Sequence, residues 1–165
     1  MTNATTDETE FETFDAHGFA EDVQKEFESL PASQRFSAEQ LEVIYGLAYA
    51  HAAQEQWEKA LPIFAFLAQY GPTRRHYLAG LAQCMRQLDR HEEAKNLYSL
   101  MLLLFPDHLE PGLCVAECQL AQGDARAATT TLRQLADIAE ENSSLKYRVQ
   151  ALLGRINARS GEASD

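Results

Sequence analysis

Between Leu41 and Leu135, apolar and small residues fall into columns that recur every 34 residues. Ala60, Ala94 and Ala128 form one column, and Ala48, Ala82 and Ala116 lie twelve residues before it. Leu47, Leu81 and Val115 immediately precede that second set. Phe64, Tyr98 and Leu132 stand four residues after the first column, and Leu67, Met101 and Leu135 seven after it. Spacings of three, four and seven place these residues on one face of a helix. Polar breaks at Gln54-Glu55-Gln56, Asp89-Arg90 and Gln122-Gly123-Asp124 divide each block in two, and Pro72 and Pro106 close the first two blocks. Each block therefore reads as two amphipathic helices joined by a short turn. The alanine column marks where the two helices cross closely, and the large residue four positions on fills the space towards the next block.

A 34-residue period of paired amphipathic helices is the signature of a tetratricopeptide repeat. The pattern predicts an all-α fold of three tandem repeats, a helix-turn-helix solenoid with antiparallel neighbours, over about 41–74, 75–108 and 109–142. Phe19, Val23, Phe27 and Leu30 recur at helical spacing before Pro31, so 15–36 reads as an N-terminal helix and linker. The apolar stripe Phe19, Val23 and Phe27 is a candidate dimer interface. Ser37-Ala-Glu-Gln40 has the form of a capping box and opens the repeat domain, 37–159. A last helix over 144–158, with Leu145, Val149, Leu152, Leu153 and Ile156 on one stripe, is the cap such arrays need. Its outer face carries Lys146, Arg148, Arg155 and Arg159. Residues 1–14 read as a disordered acidic tail and 160–165 as a short polar one. Gly112 and Gln119 replace apolar residues in the third unit, which is expected to pack least tightly, and His51 stands where a large aromatic is usual.

Charge narrows the range of partners. The net charge is −11, and residues 1–30 hold nine acids against the single base Lys25. Nucleic-acid binding is disfavoured, because phosphate contacts need a basic patch and Arg74-Arg75 is the only arginine pair. The acidic lead reads as a solubilising segment or as a contact for a basic partner. No apolar run, Leu100 to Phe105 included, approaches the roughly 20 residues of a membrane-spanning helix, so direct membrane insertion is not expected. The N-terminus lacks the basic start and apolar stretch of a secretory signal, which points to the cytoplasm. Three cysteines there imply reduced thiols.

Catalytic chemistry is not legible. Cys114 and Cys118 are four apart on one helix but lack two further ligands, so packing explains them better than a metal. The five histidines are scattered, the eight glycines never form a phosphate loop, and no cofactor is implied. The inner side of the array is more informative. In such repeats, positions 2, 5, 9, 12 and 13 of each first helix line the groove. These are Glu42, Tyr45, Tyr49, Ala52 and Ala53, then His76, Ala79, Gln83, Arg86 and Gln87, then Glu110, Leu113, Glu117, Leu120 and Ala121. Small residues leave pockets, tyrosines supply flat apolar walls, and Arg86 and Gln83 can reach main-chain carbonyls. Trp57 can wall one end of that groove, or pack. The set suits an extended apolar peptide.

Leu41-Glu-Val-Ile-Tyr-Gly-Leu-Ala-Tyr49, Gly80-Leu-Ala-Gln-Cys84 and above all Val115-Ala-Glu-Cys-Gln-Leu-Ala-Gln-Gly123 resemble the class II chaperones of bacterial type III secretion. The resemblance covers roughly residues 20–155. It implies a cytoplasmic homodimer without enzymatic activity that holds hydrophobic translocator proteins soluble and apart before secretion. It also implies that the groove takes a Pro-x-Leu-x-x-Pro-like segment, with Tyr45, Tyr49 and Trp57 at groove or groove-edge positions. The chain departs from the family pattern at Ala52, where an aromatic is common, and at the two arginines before His76. A general repeat adaptor that assembles folded partners is the alternative reading.

Overall fold

The computed structural model describes residues 14–162, and the tail expected over 1–14 lies almost wholly outside them. Eight helices follow one another: α1 (Ala16–Ser29), α2 (Ala38–Ala53), α3 (Trp57–Tyr70), α4 (Arg75–Gln87), α5 (His91–Leu104), α6 (Glu110–Ala121), α7 (Ala125–Ile138) and α8 (Ser144–Glu162). There is no strand among the described residues. Each helix from α2 to α8 packs on the next, and α1 lies across α5. The last helix runs on past the expected stop at residue 158, through Arg159 to Glu162. No helix among the described residues is long and apolar enough to cross a membrane.

The 34-residue columns become layers of core. All six alanines of the two small-residue columns are fully buried, as are Phe64, Tyr98 and Leu132 and then Leu67, Met101 and Leu135. Close-packed interiors tolerate no extra methylene at such crossings. Ser37 and Gln40 form the expected capping box at the start of α2, Gln40 N–H donating to Ser37 Oγ at 3.2 Å and Ser37 N–H to Gln40 Oε1 at 2.9 Å.

The turns inside the repeats also obey the period. Glu55, Asp89 and Gly123, again 34 apart, all have positive φ, at 56°, 59° and 81°. After each, an amide reaches back to the helix just ended. Gln56 N–H donates to His51 O, Arg90 N–H to Met85 O and Asp124 N–H to Gln119 O, each at 2.9 Å. This is the Schellman closure, whose left-handed residue is best filled by glycine. Only the third repeat has one. Glu55→Gly is therefore expected to stabilise the protein by about 0.5–1 kcal/mol, and Asp89→Gly by less, since Asp tolerates the left-handed region better than Glu. Thermal unfolding monitored by helical circular dichroism checks this; a lower midpoint for Glu55→Gly would refute the turn assignment.

The third repeat is not loose. Space opposite Gly112 is filled by Leu135, whose methyls come within 3.2–3.3 Å of where a Cβ would sit. Gln119 Oε1 accepts a 2.9 Å bond from the Thr131 hydroxyl, so the polar substitution is satisfied within the unit. His51 is likewise engaged, its Nδ1 lying 2.8 Å from Gln56 Oε1.

Candidate functional site

Side chains from alternate helices α2, α4 and α6 meet directly, which defines the inner wall of the array. Glu42 on α2 accepts from the Tyr77 hydroxyl at 2.7 Å and lies 3.0 Å from His76 Nε2, both on α4. Tyr45 stacks edge-on against His76 at 4.8 Å and against Phe64 at 6.0 Å, and Tyr49 lies 6.1 Å from Tyr45. Further along, Arg86 on α4 reaches Glu117 on α6 through Nη1, while its Nη2 donates to Gln83 Oε1 at 2.9 Å. The result is an aromatic patch over the first repeat and a polar bridge between the second and third.

Electrostatics follow from these contacts. The Tyr77 hydrogen bond, aided by His76, holds the Glu42 carboxyl below the usual range. Burial, reinforced by Tyr49 and Glu42, raises the Tyr45 phenol. Burial pushes the Cys84 thiol up to about 11, and the same cause raises Cys114 and Cys118. Thiols so shifted are protonated at neutral pH and act as packing groups rather than nucleophiles. Cys84 and Cys118 are buried, and no group of three or more metal-ligating side chains exists among the described residues.

The expected groove residues divide into three sets. Tyr49 is 61% exposed and free to meet a ligand. Tyr45, Ala52 and Trp57 are half-buried against the first core cluster, and Ala79 and Leu120 against the second and third. All six keep some surface open, five of them on α2, α4 and α6 and Trp57 at the start of α3. His76, Gln83, Arg86 and Glu117 are already bonded to one another or to Glu42, so the Arg86–Gln83 pair works as an internal strut before it can grip a peptide carbonyl. Leu113 is different. It is only 2% exposed, inside the core formed with Leu132, Leu135, Leu145 and Val149, because α8 packs over the third repeat. It leaves the groove.

The α1 stripe also has another use. Val23 and Phe27 pack, partly buried, on the second core cluster of their own chain, and the Gln24 side chain bonds Leu104 O. Phe19 stays partly exposed, 5.6 Å from Phe14. Open apolar surface lies instead on α2, where Val43 is 77% and Leu47 54% exposed. Leu47 belongs to the column in which Leu81 and Val115 are buried. It is bare because no repeat precedes the first.

One member of the Tyr45 column went unread. Tyr147 stands 34 residues beyond Leu113, in the column of Tyr45, and is 59% exposed on α8. The last helix thus continues the repeat register. Its position follows from the period once α8 is treated as the first helix of a fourth unit.

Comparison with known proteins agrees with this geometry. The tetratricopeptide-repeat family model matches residues 51–111. The chain has the fold of a tetratricopeptide-repeat array. No curated protein sequence matches it. Among solved structures the array is similar to PcrH, a Pseudomonas aeruginosa protein, in complex with the chaperone-binding region of PopD. That match has 28% identity and a TM-score of 0.67, covering 76% of this chain and 97% of the other. The fold is also that of the Yersinia enterocolitica type III secretion translocator chaperone SycD, at 23% identity and a TM-score of 0.65, covering 72% and 91%. An alternative dimer of SycD matches with a TM-score of 0.66 at 22% identity, covering 76% and 98%. The repeat array therefore shares its fold with translocator chaperones over nearly their whole length.

Proposed function

We propose that this chain is a type III secretion chaperone that binds hydrophobic translocator proteins in the bacterial cytoplasm through the inner face of its repeats. The observation that carries the reading is the full-length likeness to PcrH, whose structure holds the chaperone-binding region of a partner. The inner wall has the chemistry for such a segment. Tyr49 and the exposed edge of Tyr45 form an aromatic floor, and Ala52 and Ala79 leave room beside it for apolar side chains. Covering apolar surface that would otherwise aggregate needs neither a nucleotide nor a catalytic group. Co-expression tests the reading. A translocator from the same secretion system should remain in the soluble fraction with this chain and precipitate without it; equal solubility in both cases would end the proposal.

The chain acts as a homodimer in this reading, with the contact on α2 rather than α1. Val43, Leu47 and Ala50 are spaced for one helix face, and Gly46 between them has nothing within 4 Å of a built Cβ, so a second helix can approach closely. Leu47→Glu is expected to weaken self-association at least about tenfold without loss of helicity, since an unpaired carboxylate in an apolar contact costs well over 1.4 kcal/mol. Sedimentation velocity over a concentration series reads the change. An unaltered dimer would move the interface elsewhere.

A further inference from the structure

The basic helix α8 has no established partner. From Ser144 to Arg159 it carries Lys146, Arg148, Arg155 and Arg159 and no acid, in a chain of net charge −11. Lys146 is used, donating to Ala136 O at 2.6 Å and to Glu141 Oε1 at 2.8 Å. The three arginines form no hydrogen bond or ion pair among the described residues, yet all are exposed and spaced for one helical stripe with Leu152. Beside that stripe is a cavity of about 380 Å³, lined by Leu120, Gly123, Ala125, Leu152, Arg155, Ile156 and Arg159. It has an apolar floor and a cationic rim. Asp124, next to two lining residues, is occupied in capping α7, its Oδ1 accepting from Ala127 N–H at 2.9 Å.

We propose that the strip and cavity are a docking surface for this chain's own acidic N-terminal segment, residues 1–13. Charge and composition match: Asp7, Glu8, Glu10 and Glu12 are its only ionisable side chains, and Phe11 lies between two of them. The point of departure is also right. Phe14 leads into α1, where His17 Nε2 sits 3.7 Å from Asp107 Oδ1. Asp107 in turn lines a cleft with Ser143 and Leu145, at the start of α8. Asp107, Glu110 and Glu140 make this cleft acidic, so the basic stripe of α8 is the favourable side for an acidic segment.

Reach is sufficient. An extended chain advances about 3.4 Å per residue, placing Glu12, Phe11, Glu10, Glu8 and Asp7 at about 7, 10, 14, 20 and 24 Å from Phe14. An α-helix rises about 1.5 Å per residue, placing Arg148, Leu152, Arg155 and Arg159 at about 5, 11, 15 and 21 Å beyond Leu145. Thirteen extended residues reach up to about 44 Å, twice the roughly 21 Å from Leu145 to Arg159, so the segment can span the stripe with chain to spare, and its Phe11 suits the apolar floor of the cavity. Docked there, the segment neutralises the arginines and covers apolar surface at the end of the inner wall.

Amide NMR spectra of the full-length chain test this. Raising salt from about 20 to 500 mM cuts the screening length from about 20 to about 4 Å, and should shift the Asp7–Glu12 and Leu152–Arg159 amides together. The variant Asp7→Asn, Glu8→Gln, Glu10→Gln, Glu12→Gln should place the α8 amides at their high-salt positions at once. Arg148→Glu with Arg155→Glu and Arg159→Glu should do the same to the segment's amides. Combining that triple variant with Lys at positions 7, 8, 10 and 12 should restore the salt-dependent shifts. Indifference of the α8 amides to neutralising the segment overturns the proposal. So does a response that grows with protein concentration, which would assign the surface to another copy. A shift seen only on adding a client would assign it to that client and overturn the proposal equally.

Discussion

Gly80→Ala should destabilise the protein by about 2 kcal/mol, although glycine-to-alanine changes inside helices usually gain about 1 kcal/mol. The sign is reversed by packing. A Cβ at Gly80 would lie 2.1 Å from Phe64 Cε1 and 2.5 Å from both Cδ1 and Cζ. Phe64 is buried in the first core cluster and held edge-on by Tyr45, so its ring has nowhere to retreat. Overpacking of this kind costs about 1–3 kcal/mol or more, and here it must also cancel the propensity gain. For a domain of this size the midpoint of thermal unfolding should fall by about 4–8 °C. Gly154→Ala is the control. Gly154 sits inside α8 with nothing within 4 Å of a built Cβ, and its replacement should gain about 0.5–1 kcal/mol. Calorimetry of both variants decides the matter. A stabilised Gly80→Ala would mean that α3 and α4 do not pack as described.

The second large effect concerns client binding. Tyr45→Ala combined with Tyr49→Ala should weaken the affinity for a translocator's chaperone-binding segment by about 100-fold or more, since aromatic anchors in a binding centre are worth about 2 kcal/mol each. The two tyrosines differ in what else they do. Tyr49 is exposed, so Tyr49→Ala should reduce affinity with almost no change in unfolding midpoint. Tyr45 touches Phe64, His76 and Tyr77, so Tyr45→Ala should also cost stability, about 2–3 kcal/mol. Isothermal titration with a client peptide, alongside thermal unfolding, separates the two contributions. If Tyr49→Ala binds as tightly as the parent chain, the aromatic floor is not the binding site.

Much of the fold was legible in the sequence, and the departures share one cause. Periodicity states which residues share a column but not what covers the column at each end of the array. Leu113 stands in a groove column, yet α8 packs beside the third repeat and draws it into the core. Leu47 stands in a buried column, yet α1 packs on α5 and no repeat precedes α2, so it remains open. Val23 and Phe27 show an apolar stripe fit for a second subunit, but α1 turns that stripe onto the second core cluster. Arg86 and Gln83 read as free hydrogen-bonding groups, and only the approach of α6 reveals that Glu117 binds Arg86. Each is a contact between residues far apart in the chain or at its edge.

The recurrence of Ala60, Ala94 and Ala128 at 34 residues was enough by itself to determine paired helices, their number and the core layers, because close crossing and helical spacing are local demands on side-chain size. The same period governs the left-handed turns at Glu55, Asp89 and Gly123. Tertiary structure alone decided which faces stay open: the aromatic floor at Tyr49, the bare stripe of α2 and the unpaired arginines of α8. Exposure is a property of what packs on a helix, and no helix carries that information in its own residues.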